Sequence, residues 1–349
     1  METKISVIIP VFDMEKYLQE CLDTVLNQTL KEIEIICIND GSSDNSEEII
    51  NVNRKKDSRI VLISQENKGV AYARNAGLLC AKGEFVIFMD PDDWYPENDI
   101  LEVLYNKAKE NNVLICGGSF SELNDKGLVT QFSGVRKKYT FDEDGLVYYK
   151  DYQFDYGYHR FIYNLEFLRK NDIYFPTYIR FQDPPFFVKA MITAEKFYAV
   201  KKVTYRYRVG HQNINWTEKR LYDLLQGLTD NIRMSGEAGL KELHCITVER
   251  LAKQYKDMYA KALPTGSSQL INQLFIAQSY INPKLLEGNS QYEKYSNFAA
   301  DIIMRAFQLQ AEVNGVIEET TRDKSIIHDS QKERIMQFFS GIRRKIFGK

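Results

Sequence analysis

Residues 85–94 read Phe85-Val-Ile-Phe-Met89-Asp90-Pro91-Asp92-Asp93-Trp94. An unbroken apolar run stops at a group of carboxylates, and Pro91 sets a turn between the first two. Such a run is the signature of a strand buried on both faces, as strands of parallel sheets are. Working outward, short apolar runs at 5–9, 33–38, 60–64 and 113–116 alternate with amphipathic segments at 15–28, 47–54, 70–80 and 100–109. In the first of these segments Tyr17, Leu18, Cys21, Leu22, Val25 and Leu26 share one helical face. Strand, helix, strand order predicts an α/β domain with a mainly parallel central sheet covered on both sides.

In such sheets ligands bind beyond the carboxyl ends of the strands. The residues falling there are Pro10, Phe12 and Asp13 after the first strand and Asn39-Asp40-Gly41-Ser42 after the second. Gln65 to Gly69 follow the third strand and Asp90, Asp92 and Asp93 the fourth, while Arg74 and Asn75 lie in the first turns of the intervening helix. Carboxylates from separate strands therefore meet at one sheet edge. Hard divalent cations take one or two carboxylates together with substrate phosphate oxygens, so an acidic strand end suits a metal-bridged diphosphate. Asp44 followed by Glu47 reads instead as helix capping.

The chain has 349 residues, with 46 Lys and Arg against 48 Asp and Glu, a formal charge of -2 and 44% hydrophobic residues. This length exceeds what one core sustains and predicts two domains. The balance excludes disorder, and it gives no basic excess for nucleic-acid binding. The five cysteines show no CxxC spacing and sit mostly in apolar runs, which predicts free thiols in a reduced, cytoplasmic protein. The first residues lack a signal-peptide pattern, and no run approaches the roughly 20 apolar residues of a membrane span.

From about 119 to 220 the alternation gives way to aromatic-rich, irregular sequence, and from Leu221 helical periodicity takes over. The expected organisation is a first domain over 1–218, in two halves (1–118 and 119–218). A helical C-terminal domain follows over 219–349.

Four segments in series carry a family resemblance: SVIIPVFDMEKYLQECLDTVLNQTL, IICINDGSSDNS, ENKGVAYARNAGLLCAKGEFVIFMDPDDW and FQDPPFF. In order and spacing they resemble the motifs of inverting family 2 glycosyltransferases of the GT-A fold, over residues 4 to about 210. The resemblance implies a nucleotide diphosphate sugar donor, most often UDP-linked, and Mn2+ or Mg2+ as cofactor. It implies that Pro10, Phe12 and Asp13 line the base pocket, that Asp40 accepts from the uracil ring, and that Arg74 helps hold the nucleotide. By the same resemblance Asp90 and Asp92 bracket the ribose and sugar, and Asp92 or Asp93 coordinates the metal.

Asp183, in Phe181-Gln182-Asp183-Pro184-Pro185, matches the family's general base, with Gln182 where glutamate is commoner. Its alternative reading is a helix N-cap followed by proline. Tyr205-Arg206-Tyr207-Arg208 resembles the segment that closes over the diphosphate, which gives Arg208 a donor-binding role and His211 one as a metal ligand or phosphate contact. His159-Arg160 matches a basic position ahead of the acceptor site. Trp94 and the tyrosines at 148, 149, 152, 156, 158 and 163 read first as core, with a sugar-binding surface as the alternative.

The implied acceptor is a glycan or a lipid-linked glycan of surface polysaccharide. Residues 332–349 pattern as a basic amphipathic helix suited to peripheral contact with the inner face of a membrane. A homo-oligomer is compatible with the sequence. The competing reading is a catalytically silent carbohydrate-binding or scaffolding protein of the same fold. A dinucleotide-dependent oxidoreductase is excluded because no G-x-G-x-x-G follows the first strand.

Overall fold

The computed structural model describes residues 2–210, 215–266, 268–288 and 290–322. Strand β1 (Ile5–Val11) is buried along its whole length, because it lies inside the sheet with a helical layer on each face. Helix α1 (Leu18–Leu26) returns to β2 (Ile33–Asn39), α2 (Ser46–Lys56) to β3 (Ile60–Ser64), and α3 (Val70–Cys80) to β4 (Phe85–Phe88). All three pairings β1–β2, β2–β3 and β1–β4 are parallel, so the carboxyl ends of these strands share one edge. Side chains of β1 alternate between two cores. Ile5, Val7 and Ile9 pack with Cys21, Leu22 and Val25 of α1 on one face, and Ile8 packs with Ala71 and Leu78 of α3 on the other. Helix α3 crosses so close to β1 that a Cβ on Gly77 would lie 2.5 Å from Ile8 Cγ2. Each fully buried Leu, Ile or Phe in these layers contributes on the order of 1.5–3 kcal/mol.

After α4 (Ile100–Glu110) the region expected to be irregular adds strands. These are β5 (Ile115–Asn124), β6 (Gly127–Val129), β7 (Gly145–Tyr148), β8 (Phe161–Asn164) and β9 (Lys196–Arg208). They extend the sheet to nine strands in the order β3-β2-β1-β4-β8-β5-β9-β7, with β6 on β5. β8 runs antiparallel to both β4 and β5, and β5 and β9 are parallel. Two causes hid them in the sequence. β7 and β8 span four residues each, and the β5–β9 register shifts around Ser119, so no clean alternation survives.

The helices α5 (Tyr149–Tyr152), α6 (Leu165–Lys170), α7 (Asp183–Ala194) and α8 (Glu218–Glu237) complete this unit. The compact units are Met1–His244 and Cys245–Lys349, so the division falls after His244 and not near 218. The reason is that α8 buries Leu221, Leu224, Leu225, Leu228 and Ile232 and packs on α7 within the first unit. The second unit is helical. Its segments Lys256–Ala262, Ser268–Ser279 and Phe298–Arg322 bury Tyr259, Leu270, Leu274, Phe298 and Ile302. No helix among the described residues is long and apolar enough to cross a membrane. Residues 332–349 lie outside the described residues.

Candidate active site

The loops after β1 and β2 are stitched together. Asp13 stands in a left-handed conformation (φ 51°), which a short polar side chain tolerates. Its Oδ1 accepts from the Ser43 amide at 2.7 Å, and its own amide donates to Ser42 Oγ at 3.1 Å. Met14 and Glu15 amides donate to Ser46 Oγ and Asp44 Oδ2, both at 2.8 Å. Beside this brace Phe12 is 44% exposed, while Pro10 is buried in β1 next to Ile38. Asp40 ties the loop after β2 to the loop after β3. It is buried, with Oδ1 accepting from Gln65 Nε2 (2.7 Å) and the Lys68 amide (3.0 Å), and Oδ2 from the Gly69 amide (2.8 Å). Three donors from the loop after β3 thus occupy the carboxylate, which fixes the entry into α3.

That entry positions Arg74. Its Nη2 donates to Asp90 Oδ1 at 2.7 Å, and its guanidinium lies 5.0 Å from the ring centre of Tyr158 and 5.2 Å from that of Phe175. Asn75 holds Phe175 in place, donating to its carbonyl at 2.8 Å and accepting from its amide at 3.0 Å. Nε and Nη1 of Arg74 are buried without a partner. Burial disfavours the Arg74 charge, but attraction to neighbours that include Asp90 and Asp183 outweighs it and keeps the side chain cationic. Burial likewise works against the Asp90 charge, yet Arg74 wins and holds this carboxyl below its ordinary value.

Asp183 opens α7, ahead of Pro184 and Pro185, and the N-cap position falls on Gln182. The capping alternative for Asp183 is thereby set aside. Burial pushes its carboxyl up; Arg74 opposes this and the Asp90 charge adds to it. Arg74 thus holds the Asp90 carboxyl down by direct contact, while its charge only partly offsets the burial that raises Asp183.

Asp92 and Asp93 are both buried. Asp93 turns toward β9. Its Oδ2 accepts from Tyr205 OH at 2.7 Å and its Oδ1 from the Arg208 amide at 2.8 Å. Burial first, then the Asp92 and Asp90 charges, push its carboxyl well above the ordinary value. Asp93 thus anchors β9 through both carboxylate oxygens. Among the described residues no three His, Cys, Asp or Glu side chains gather as a complete metal-ligand set. A single carboxylate together with substrate oxygens is a donor set that Mg2+ and Mn2+ accept. His211 lies outside the described residues.

Arg208 reaches from β9 to α1. Its Nη2 donates to Glu20 Oε2 at 2.7 Å and its Nε to the Asp92 carbonyl at 3.0 Å, with the guanidinium 4.6 Å from the Trp94 ring centre and 4.9 Å from that of Tyr17. Trp94 is half-buried and bridges Arg206 of β9, so it belongs to the rim and not to the core. Arg160 is wholly buried and donates to the carbonyls of Gly118 (2.6 Å), Tyr139 (3.0 Å) and Lys138 (3.0 Å), a structural clamp. His159 is buried against Tyr205, ring centres 4.0 Å apart, with neither ring nitrogen partnered. Burial drives its pKa down to about 3, so it is neutral at physiological pH. Tyr149, Tyr152, Tyr158 and Tyr163 are core, and Tyr148 is exposed.

Sequence reasoning missed Tyr205 as the partner of Asp93, and it missed the residues of α8 that hold the approach to Asp183. The signal for the second was Gly227, a glycine in the interior of a strongly apolar-periodic helix.

A parallel sheet thus brings acidic strand ends to a buried arginine. Residues 6–172 match the family model of glycosyl transferase family 2. It is similar to the glycosyltransferase GlyA of Streptococcus pneumoniae (28% identity over 96% of this chain and 47% of GlyA). It is also similar to the uncharacterized glycosyltransferase EpsJ of Bacillus subtilis (33% identity over 58% of this chain and 60% of EpsJ). The chain thus spans about half to three-fifths of the length of these relatives. Among solved structures, S. aureus TarS in complex with UDP-GlcNAc aligns with a TM-score of 0.68 at 19% identity, covering 88% of this chain and 92% of that one. That likeness establishes a shared fold, GT-A.

Proposed function

We propose that this chain transfers a sugar from a nucleotide diphosphate donor, UDP-linked, to a hydroxyl of a glycan or lipid-linked acceptor, with inversion, in the assembly of surface polysaccharide. The observation that carries the reading is the Arg74–Asp90 contact with Asp183 within reach of the same charge, the two carboxyls shifted in opposite directions. The complex of TarS with UDP-GlcNAc and the family model that residues 6–172 match support the choice of donor class.

In this reading the nucleoside end lies against Phe12 and Asp13, and the sugar end faces Asp90, Asp92 and Arg74. Arg74 has two buried donors without a partner, so an oxygen-rich ligand placed there removes a desolvation penalty on the order of 1–3 kcal/mol for each. Asp183 takes the proton of the acceptor hydroxyl at its carboxylate as that oxygen attacks the anomeric carbon from the face opposite the diphosphate. Its raised proton affinity makes it a better base than an ordinary aspartate. A divalent cation, when bound through Asp92, supplies charge stabilisation to the departing diphosphate.

The test is a panel of nucleotide sugars assayed for Mn2+- or Mg2+-dependent release of nucleoside diphosphate. Release from one UDP-sugar, lost in Asp183→Asn, is expected. A chain that binds UDP-sugars and turns none of them over is a silent binding protein instead.

A further inference from the structure

Phe181, two residues before Asp183, is a bulky buried residue held in left-handed backbone (φ 64°). That conformation costs on the order of 1–3 kcal/mol and persists only where the surroundings over-determine it. Here α8 does so at three points. Asp223, fully buried, accepts from the Ile179 amide through Oδ2 at 2.9 Å. Asp230 accepts from Tyr178 OH through Oδ2 at 2.9 Å. Gly227 lies under Phe181 itself. A Cβ at 227 would come within 2.5 Å of the Phe181 carbonyl oxygen and 2.8 Å of its Cδ1.

Glycine inside a helix costs about 1 kcal/mol relative to alanine. Its place at 227 has a packing reason, the close approach of the Phe181 backbone. The chain leaves Phe181 directly into Gln182 and Asp183, so the direction in which the Asp183 carboxylate points is inherited from a turn that α8 sets. Tyr156 closes the other side, its ring edge-on to Phe181 at 6.1 Å.

We propose that Asp223 and Gly227 are positioning residues for catalysis, locking the 178–182 loop so that Asp183 is held in one orientation toward the acceptor hydroxyl. The inference rests on Asp183 being the base. Displacement of a reacting group by about 1 Å is enough to cost about 100-fold in rate.

The experiment measures turnover as nucleoside diphosphate release from the UDP-sugar found active in the panel, and in parallel UDP affinity and thermal unfolding, for Gly227→Ala, Asp223→Ala and Asp223→Asn. Gly227→Ala and Asp223→Ala are expected to lose at least about tenfold in kcat with UDP affinity held within about twofold. Asp223→Asn keeps an amide oxygen that accepts from the Ile179 amide, and is expected to stay within about threefold of the parent. Parent-like kcat in both alanine variants overturns the proposal. So does a parallel loss of UDP affinity and turnover, which marks α8 as general support. If Gly227→Ala does not fold, the Asp223 pair decides. Full turnover in Asp183→Asn is a different failure, since it removes the base assignment itself.

Discussion

Arg74 Nη2 lies 2.7 Å from Asp90 Oδ1, and this pair joins the start of α3 to the acidic end of β4 inside a layer of aromatic rings. Removing one partner of such a pair leaves the other charge buried alone. Arg74→Met is therefore expected to destabilise the fold by about 3–5 kcal/mol and to weaken UDP-sugar binding. Urea unfolding and equilibrium binding check it, and an unchanged midpoint would count against the pair.

Asp183→Asn is expected to reduce transfer by about 10²–10⁴-fold while leaving UDP affinity nearly unchanged, because the residue acts on the acceptor and not on the donor. The parent enzyme should lose activity as pH falls, since the base must be deprotonated. Because burial raises its pKa, that loss should begin above the ordinary aspartate value of 3.8. A kcat/KM profile against pH reads this directly.

Asp92→Asn should abolish the dependence of UDP binding on added Mn2+, and Asp93→Asn should not. Asp93 has its oxygens directed at Tyr205 and the Arg208 amide, so its loss should appear in stability. Calorimetric titration of UDP with and without the metal separates the two variants.

His159 is held neutral, with its folded-state pKa lowered from 6.5 to about 3. The unfolded chain then binds the extra proton first. Stability is full above pH 6.5 and is lost as pH falls toward 3, by up to about 1.4 kcal/mol per unit. His159→Phe, which keeps an aromatic ring beside Tyr205, should flatten this part of the dependence. Urea midpoints measured between pH 7 and pH 4 test it.

The parallel half was legible residue by residue. β3 and α3 occupy the segments that periodicity predicts, and the other early elements differ by a few residues at their ends. Runs buried on both faces leave an unbroken apolar signature that needs no partner to be read. The thirteen residues of β9 were not legible as a strand. Lys196, Lys201, Lys202, Arg206 and Arg208 interrupt it, and its inward face is defined only by the register it makes with β5.

The site divided in the same way. Position after a strand drew attention to Asp90 and position in the first turns of a helix to Arg74, whereas Asp183 came from the family resemblance. None of these signals was enough to say that Asp93 and Arg208 face β9 and α1, or that Asp40 is enclosed by the loop after β3. Those assignments depend on which donor lies within 3 Å of a carboxylate, and such donors come from segments up to 188 residues away.

The order of apolar runs and the chemistry at their ends are local properties, and the sequence by itself determined them: a parallel sheet, an acidic edge and a candidate base beyond it. Tertiary structure alone decided which donors meet the carboxylates of Asp40, Asp90 and Asp93. It also set the backbone turn at Phe181 that aims Asp183. A left-handed residue against a helical glycine is a contact between distant parts of the chain, and no local pattern encodes it.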